Sequence, residues 1–213
     1  MRTAIERTPL GEQVYRQILQ RIQAGAIPAG SKVQDAAIAA ELGVSRTPVR
    51  EAMLRLSREG LLSADAGRGF RLAPLDRAEL RDIGSILAAL EPLALDQSSA
   101  PAPERLDRLA GVVRRLEQTR GDIAGCVELD YEFHRVLLEG CPNRRLLDLV
   151  DTRRRGLRRY LHHYLERGGR VSLSSVQHSR IAEALRKGDG PAARELLERK
   201  WRRGITEIES TLQ

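Results

Sequence analysis

The stretch SRTPVREAMLRLSREG, Ser45–Gly60, decides the fold of the first third of the chain. Its apolar residues have the i, i+3, i+4, i+7 spacing of one helical face, and they are Val49, Ala52, Met53 and Leu56. Ser45 or Thr47 can cap the start of this helix, and Pro48 is tolerated in its first turn. The stretch therefore predicts a helix whose apolar face belongs to a core.

Two arginines one turn apart, Arg46 and Arg50, stand at the front of this helix. With Thr47 they point away from the predicted core, and Glu51 is the one acidic residue on that face within a turn. We therefore expect the two guanidinium groups to be free to bind a partner. The alternative from the helical pattern alone is a charged face that simply meets solvent.

Two helices are predicted before this stretch and a hairpin after it. Apolar residues recur every four positions from Val14 to Ile22, and VQDAAIAAELG then predicts a short helix closed by Gly43. The segments LLSA and FRLA predict two short strands, joined by DAGRG, which carries Arg68. Three helices and a hairpin, with a tight turn before the third helix, form a winged helix-turn-helix, a fold that places a helix in the DNA major groove.

The strings ELGVSRTPVREAMLRLSREGLL and GRGFRLAPL together resemble the DNA-binding domain of the GntR family of bacterial transcription regulators. The resemblance covers about the first third of the chain, which we assign as a DNA-binding domain over residues 1–75. The family implies DNA contacts from Ser45, Arg46, Thr47 and Arg50 in the major groove and from Arg68 and Gly69 at the minor groove. Arginine suits this role because its fork of donors fits guanine or phosphate.

Composition agrees with a helical protein that meets a polyanion. Apolar residues make up 41% of the 213 residues and aromatic residues only 3%, which favours interdigitated helices over a β-sandwich. Lys and Arg number 36 against 29 acidic residues, a formal net charge of +7. The N-terminus is unlike a signal peptide, and no apolar run approaches the roughly 18 residues of a spanning helix. We expect a cytoplasmic protein without a membrane partner.

Beyond residue 75 the pattern is helical to the end, with breaks at Pro, Gly and Ser. Six helices are predicted, near 77–98, 103–119, 122–139, 143–166, 172–187 and 191–212. An all-helical segment of this length is expected to form a bundle, which we assign to residues 76–213. The run RRRGLRRYLHHYLERGGR within it is interpreted as a solvated helical face, because its charges are spread around the helix.

Four polar residues of this bundle fall on apolar helical faces. Asp130 and His134 lie one turn apart among apolar neighbours, and His178 and Lys200 do the same on two later helices. A charged or polar group in such a place must be paired, hold a metal, or bind a ligand, because an unpaired buried charge is costly. The four residues are therefore predicted to converge on one cavity.

The segments DYEFHRVLLEGCPN, QHSRIAEALRKGD and PAARELLERKW are similar to the FCD domain found behind winged helices in the FadR subfamily of GntR regulators, in its shorter, six-helix, VanR-like form. That resemblance implies an Asp and three His that bind a divalent metal, Zn or Ni, beneath a small carboxylate effector. Asp130, His134 and His178 match three of these ligands, and Lys200 stands at the fourth position.

Three interpretations of the cluster follow from Lys200. In the first interpretation Lys200 replaces the metal, because a protonated amine cannot ligate a metal ion. Lys200 then pairs with Asp130 and supplies the positive charge that holds the effector's carboxylate. In the second, Asp130, His134 and His178 hold a metal completed by water or effector. In the third, the cluster is a closed polar network that binds nothing.

The sequence thus predicts a homodimeric transcription regulator that binds a palindromic double-stranded DNA operator and responds to a small molecule, in which a carboxylate is expected. A metal-dependent enzyme is one alternative, but no convincing general base or nucleophile accompanies the three metal ligands, so we expect no enzyme. An architectural DNA-binding protein without a ligand is another alternative.

Overall fold

The computed structural model describes residues 9–65, 69–119, 121–169 and 175–212. The chain divides into two units, Met1–Pro74 and Leu75–Gln213. Within the described residues, the first unit contains three helices and a small sheet, and the second contains six helices. The predicted fold class, mostly α with a winged helix-turn-helix followed by a helical bundle, is confirmed.

The elements of the first unit are α1 Leu10–Gln23, β1 Lys32–Val33, α2 Asp35–Leu42, α3 Arg46–Arg58, β2 Leu62–Asp65 and β3 Gly69–Leu72. Gly43 ends α2 with a φ of 65°, a left-handed conformation that glycine adopts without a steric penalty. Ser45 stands at the N-cap of α3, although its side chain makes no cap hydrogen bond. The turn between α2 and α3 is therefore as short as the sequence predicts.

The sheet has the order β1-β3-β2, and both pairings are antiparallel. β2 and β3 are the two predicted strands of the hairpin. β1 was not predicted from the sequence. The stretch predicted as the second helix begins with Val33, but Val33 belongs to β1 and pairs with Phe70. A strand of two residues shows no alternation, and its partner lies almost forty residues away, so periodicity does not reveal it.

The apolar face predicted for α3 forms the centre of the first unit. Val49, Ala52, Met53 and Leu56 have exposed fractions of 3% or less, and they pack against α1 and β2. Tyr15, Ile18 and Ile22 of α1 complete this core together with Phe70 and Leu72 of β3. One side of α3 is thus fixed in the core, while the other side faces solvent.

The second unit consists of α4 Arg77–Asp96, α5 Pro103–Gln118, α6 Ile123–Leu138, α7 Arg144–Glu166, α8 Ser175–Arg186 and α9 Gly190–Glu209. All six predicted helices are present, and the predicted start of α8 at residues 172–174 lies outside the described residues. Four of them begin at a residue whose side chain accepts a hydrogen bond from a backbone N–H of the first turn: Asp76, Asp122, Asn143 and Asp189. These caps, together with Pro and Gly breaks, determine where the helices start.

The bundle surrounds α6. α4 packs against α9 and α7, while α5 packs against α6 and α8, so that Phe133 and Leu137 of α6 are fully buried. Within the described residues, no helix has the length and apolar character needed to cross a membrane.

The solvated-face interpretation of the arginine-rich run is wrong for part of α7. Arg154 and Arg159 have exposed fractions of only 4% and 6%. Arg159 donates to Glu79 and lies over the ring of Tyr160, with 4.9 Å between the guanidinium carbon and the ring centroid. The burial arises because α7 packs against both α4 and α6, which leaves a narrower solvated face than a charge count along the helix suggests.

Candidate functional site

The first group of candidate residues lies at the N-terminus of α3. Ser45, Arg46, Thr47 and Arg50 are all exposed, and the side chains of Arg46 and Arg50 are 65% and 64% accessible. α3 presents them outward because its opposite face is part of the core. The leading end of the helix therefore carries two accessible cationic side chains.

Asp35, the first residue of α2, pairs with both arginines. Its Oδ2 lies 3.0 Å from Arg46 Nη2 and 3.8 Å from Arg50 Nη1. Burial pushes the pKa of Asp35 upward, but the hydrogen bond and charge of Arg46 outweigh this effect and the net shift is downward. The carboxylate is therefore ionised at neutral pH and holds the two guanidinium groups side by side.

Glu51 is the acidic residue that the pattern of α3 places near Arg46 and Arg50, and Asp35 is a second one that this pattern does not reveal. Asp35 belongs to a different helix, and the packing of α2 on α3 brings it to this surface. A pattern followed along one helix does not show an acid on its neighbour. Asp35 and Glu51 together balance the charges of Arg46 and Arg50 at this surface.

The candidate wing residues are only partly placed. Gly69 begins β3 with a φ of 97°, a conformation that residues with a side chain rarely adopt, and a Cβ there would lie 3.5 Å from the carbonyl oxygen of Val33. Arg68 lies outside the described residues, so its position at the wing tip stays a prediction.

The second group meets in the interior of the bundle. Asp130 and His134 come from α6, His178 from α8 and Lys200 from α9, and each is at least nine-tenths buried. Asp130 Oδ1 lies 3.1 Å from His178 Nε2, 3.2 Å from Lys200 Nζ and 3.9 Å from His134 Nε2. The structure therefore brings all four sequence-predicted residues together around one carboxylate.

Glu91 of α4 and Arg154 of α7 join this cluster, although neither was predicted to belong to it from the sequence. Arg154 donates to Asp130 Oδ2 at 2.6 Å and to Glu91 Oε1 at 2.7 Å. Glu91 Oε2 also accepts hydrogen bonds from His134 Nδ1 at 2.7 Å and from Trp201 Nε1 at 2.8 Å. We call these seven residues the buried polar cluster: Glu91, Asp130, His134, Arg154, His178, Lys200 and Trp201.

The sequence carried a signal for both missed residues. Glu91 continues the apolar stripe of α4 that runs through Leu80, Leu87 and Ala94. Arg154 interrupts the stripe of Val150 and Leu157 on α7. A charge on an apolar stripe was the criterion that found Asp130 and Lys200, and the same criterion applied to α4 and α7 finds these two.

The charges of the cluster balance, because two acids, Glu91 and Asp130, face two cations, Arg154 and Lys200. Burial pushes the pKa of Glu91 upward, but its interactions with His134 and Arg154 prevail and lower it to about 2. Burial acts on Asp130 in the same direction, and the charges of Lys200 and Arg154 hold its pKa well below the usual range. Both carboxylates are therefore ionised although they are almost entirely removed from water.

His134 is neutral at pH 7. Burial, reinforced by the nearby charge of Arg154, lowers its pKa to about 3. Because Glu91 is ionised, Nδ1 of His134 carries the proton and donates it to that carboxylate. His134 Nε2 then bears a lone pair, and it has no hydrogen-bond partner within the described residues.

Asp130, His134 and His178 form a group that could hold a metal ion. One ligand atom of each lies within 4.8 Å of the others, and all three residues are buried. Carboxylate and imidazole are ligands of the type that zinc and nickel accept.

Family models match both units. The model for "Bacterial regulatory proteins, gntR family" matches residues 10–72, and the model for the FCD domain matches residues 82–203. These units define the class of a DNA-binding transcription regulator with a C-terminal effector-binding domain, and not that of an enzyme. The chain belongs to the GntR family of bacterial regulatory proteins and carries an FCD domain.

Named relatives agree with this class. The chain is 33% identical over 150 residues to the HTH-type transcriptional regulator YdhC of Bacillus subtilis (strain 168), in a match that spans 68% of this chain and 66% of YdhC. It is 24% identical over 209 residues to the HTH-type transcriptional repressor RspR of Escherichia coli (strain K12), covering 96% and 90% of the two chains. The fold is that of E. coli McbR/YncC, with a TM-score of 0.86 at 22% identity over 96% of this chain and 99% of that one.

Proposed function

We propose that this protein is a ligand-responsive transcription regulator that binds a palindromic operator as a homodimer and responds to a small carboxylate. The observation that carries the DNA-binding part is the pair of exposed guanidinium groups of Arg46 and Arg50 at the leading end of α3. In this proposal α3 enters the major groove and both arginines contact base edges or phosphates. Ser45 and Thr47 contact phosphates, while Arg68 and Gly69 approach the minor groove.

In this proposal Asp35 orients the two arginines before they meet DNA. Arginine side chains lose rotational freedom when they bind DNA, and the pairing with Asp35 restricts Arg46 and Arg50 before the encounter. A carboxylate at this place also repels phosphate. We therefore expect the arginines to select base edges over the backbone, because phosphate must come close to the Asp35 charge.

The homodimer is supported by an apolar stripe on the surface of the bundle. Ile86 and Leu93 lie two turns apart on α4 and are 38% and 44% exposed. Two copies joined through this face would present two copies of α3, which matches the symmetry of a palindrome.

Changing Leu93 to Asp is expected to convert a dimer into a monomer, because a charge in the middle of an apolar interface would be buried without a partner. Analytical ultracentrifugation should give twice the mass of the chain for the wild type and the mass of one chain for the variant. Val176→Asp is the matched control, since Val176 is 54% exposed on α8 and lies outside the proposed interface. A wild-type protein that sediments as a monomer at micromolar concentration would contradict the dimer.

The donor chemistry of the buried polar cluster does not fit a divalent metal. Asp130 Oδ1 already accepts from His178 Nε2 and from the Lys200 ammonium, and Oδ2 accepts from Arg154. A metal at Asp130 would need the Nε2 lone pair of His178 and would lie close to an ammonium group and a guanidinium group, which is electrostatically unfavourable. In our proposal Lys200 therefore takes the place of the metal.

The effector site follows from the same charges. A cleft of about 250 Å³ between α6 and α7 is lined in part by His134 and Arg154, so it reaches the edge of the buried polar cluster. A small carboxylate in this cleft would compete with Glu91 or Asp130 for the cations that balance them. Because the cluster joins α4, α6, α7, α8 and α9, such a change of partners alters how the helices pack. It acts on DNA binding to the extent that the effector binds one dimer arrangement more tightly than the other.

The Lys200→His variant is expected to gain about one equivalent of Zn or Ni, since it adds the imidazole that completes a set of one Asp and three His. Elemental analysis of protein purified without chelator and without a His-tag measures this directly. Lys200→Met is the control, because it removes the ammonium group without adding a ligand, and it should stay free of metal like the wild type. A wild-type protein that retains a metal through dialysis would show that Lys200 lies outside the metal's ligand shell.

The response to effector is tested on an operator selected from random DNA duplexes. Fluorescence anisotropy of the labelled operator, titrated with a panel of small mono- and dicarboxylates, should reveal at least one acid that changes the affinity about fivefold or more, as is usual for allosteric coupling. An affinity that no acid on the panel changes would favour a DNA-binding protein without a carboxylate effector.

A further inference from the structure

A second cleft lies at one end of the bundle, away from the residues of the buried polar cluster. It has a volume of about 380 Å³ and forms where the connection between α4 and α5 meets the turn between α8 and α9. Its lining includes Ser99 and Arg105 from the first region and Gly190 and Arg194 from the second. A volume of this size accommodates a small molecule.

Arg105 is the unusual residue of this cleft. Only 7% of it is exposed, and its Nε and Nη2 are both shielded from solvent without a hydrogen-bond partner among the described residues. Burial lowers the pKa of Arg105. Glu139, the acid whose charge counteracts this shift, is hydrogen-bonded to Arg108 at 2.6 Å. The guanidinium group is thus removed from water without a carboxylate of its own.

The two nitrogens without partners, Nε and Nη2, form the edge of an arginine that typically binds oxyanions. Nε and Nη2 lie along one edge of the planar guanidinium group, where two parallel N–H groups match the two oxygens of a carboxylate or phosphate. Folded proteins rarely leave such donors unsatisfied, and each exception calls for an explanation. Because both nitrogens are shielded from solvent, the guanidinium group must turn toward the cleft before a ligand there can accept hydrogen bonds from them.

The backbone around Arg105 is shaped for a guanidinium group at this place. A Cβ built on Gly140 would lie 2.0 Å from Arg105 Nη1 and 3.2 Å from Ser99 Oγ. Any side chain at position 140 would therefore displace Arg105 from its position.

Arg194 and Asp96 are the other charged residues of the described lining. Arg194, in the first turns of α9, is 3.2 Å from Asp96 Oδ2 and 3.1 Å from Glu198 Oε1. Asp96 also lines the cleft, so the described lining contains two cations and one acid, while Glu198 pairs with Arg194 outside it. The N-terminus of α9, with Gly190 at the cleft, is capped by the carboxylate of Asp189, which accepts a hydrogen bond from the backbone N–H of Ala192.

We infer that the cleft around Arg105 is a second ligand site, which binds a small oxyanion, a carboxylate or a phosphate, through the Nε and Nη2 edge of Arg105 with Arg194 at its rim. This site is distinct from the proposed effector site, and it does not depend on the assignment of Lys200.

The test is thermal unfolding of the full chain in chloride buffer at constant ionic strength, with inorganic phosphate or oxalate as the titrated probe. Wild-type protein should show a saturable rise in melting temperature with at least one probe. Arg105→Met should weaken the apparent affinity about tenfold or more, because two charge-assisted hydrogen bonds are lost. Arg114→Met is the matched control, since Arg114 is exposed on the same helix and is absent from the described lining, and it should respond like the wild type.

The two probes separate the sources of the ligand. A response to phosphate alone points to a phosphorylated molecule, and a response to oxalate alone points to an organic acid. Arg105→Met without anion should melt no lower than the wild type, because the variant lacks the unsatisfied charge. If Arg105→Met fails to fold, Arg194→Gln tests the inference instead, and its apparent affinity for the anion should fall about threefold or more. No saturable response in the wild type, or equal affinity in the variant used, would overturn the inference.

Discussion

Replacing Arg50 by alanine is expected to abolish specific DNA binding while the fold stays intact. Arg50 is 64% exposed, so that its loss exposes no core, and its contact with Asp35 is long at 3.8 Å. A bidentate arginine contact is worth about 1–3 kcal/mol, and a dimer loses two of them. The dissociation constant should therefore rise by roughly 30-fold to 20,000-fold, which anisotropy with a labelled operator measures.

Arg58→Ala is the control for that result. Arg58 is exposed on the same helix, but it stands in the last turn, away from the leading end. Its loss removes the same charge, so a general electrostatic effect on DNA affinity would weaken both variants alike. Normal operator binding by Arg50→Ala would show that the docking of α3 is wrong.

Replacing Arg154 by methionine is expected to give the largest loss of stability. Arg154 bridges Glu91 and Asp130 at 2.7 and 2.6 Å, and all three residues have exposed fractions of 4% or less. Removing one partner of a buried ion pair costs about 3–5 kcal/mol, because the remaining charges are left without compensation. Urea unfolding should show this decrease in the free energy of unfolding.

Two further variants separate lost charge pairing from lost packing. Arg153→Met, one residue away on α7 and only half-buried, should change the free energy of unfolding by less than about 1 kcal/mol. Arg154→Met combined with Glu91→Gln should recover much of the stability, because Asp130 then balances Lys200 and no unpaired charge remains. An Arg154→Met protein as stable as the wild type would contradict the charge balance of the cluster.

The helices were predictable because each has its own apolar periodicity and recognisable ends. α3 follows from Val49 to Leu56, and α6 from an apolar arc that ends at Leu137. β1 was not predicted because a strand of two residues shows no alternation of apolar and polar residues. Its formation depends on pairing with Phe70 and Arg71.

The polar residues of the buried cluster can be predicted by looking for a charged residue on the apolar stripe of a helix. This criterion found Asp130 and Lys200 on their own helices. It also applies to Arg154, but the surrounding run of arginines made a solvated face the simpler interpretation. The distance of 2.6 Å between Arg154 and Asp130 depends on how α7 packs against α6, which the periodicity of one helix does not determine.

Asp35 shows, at the candidate DNA-binding surface, that the periodicity of one helix does not reveal contacts with another helix. Its position at the start of α2 is evident in the sequence, but its contact with Arg46 joins two helices across eleven residues of chain. The contact changes the physical interpretation of the surface. Arg46 and Arg50 are accessible, yet Asp35 restrains them before any partner arrives.

DNase I footprinting of the full chain, on a DNA fragment that contains the selected operator, tests the central claim most directly. A sequence-specific dimeric regulator predicts one short protected region with an inverted repeat, whose half-sites lie about one helical turn apart. The same region should lose its protection with Arg50→Ala and keep it with Arg58→Ala. Diffuse protection along the whole fragment, unchanged by Arg50→Ala, would contradict specific recognition by α3 and indicate an architectural DNA-binding protein.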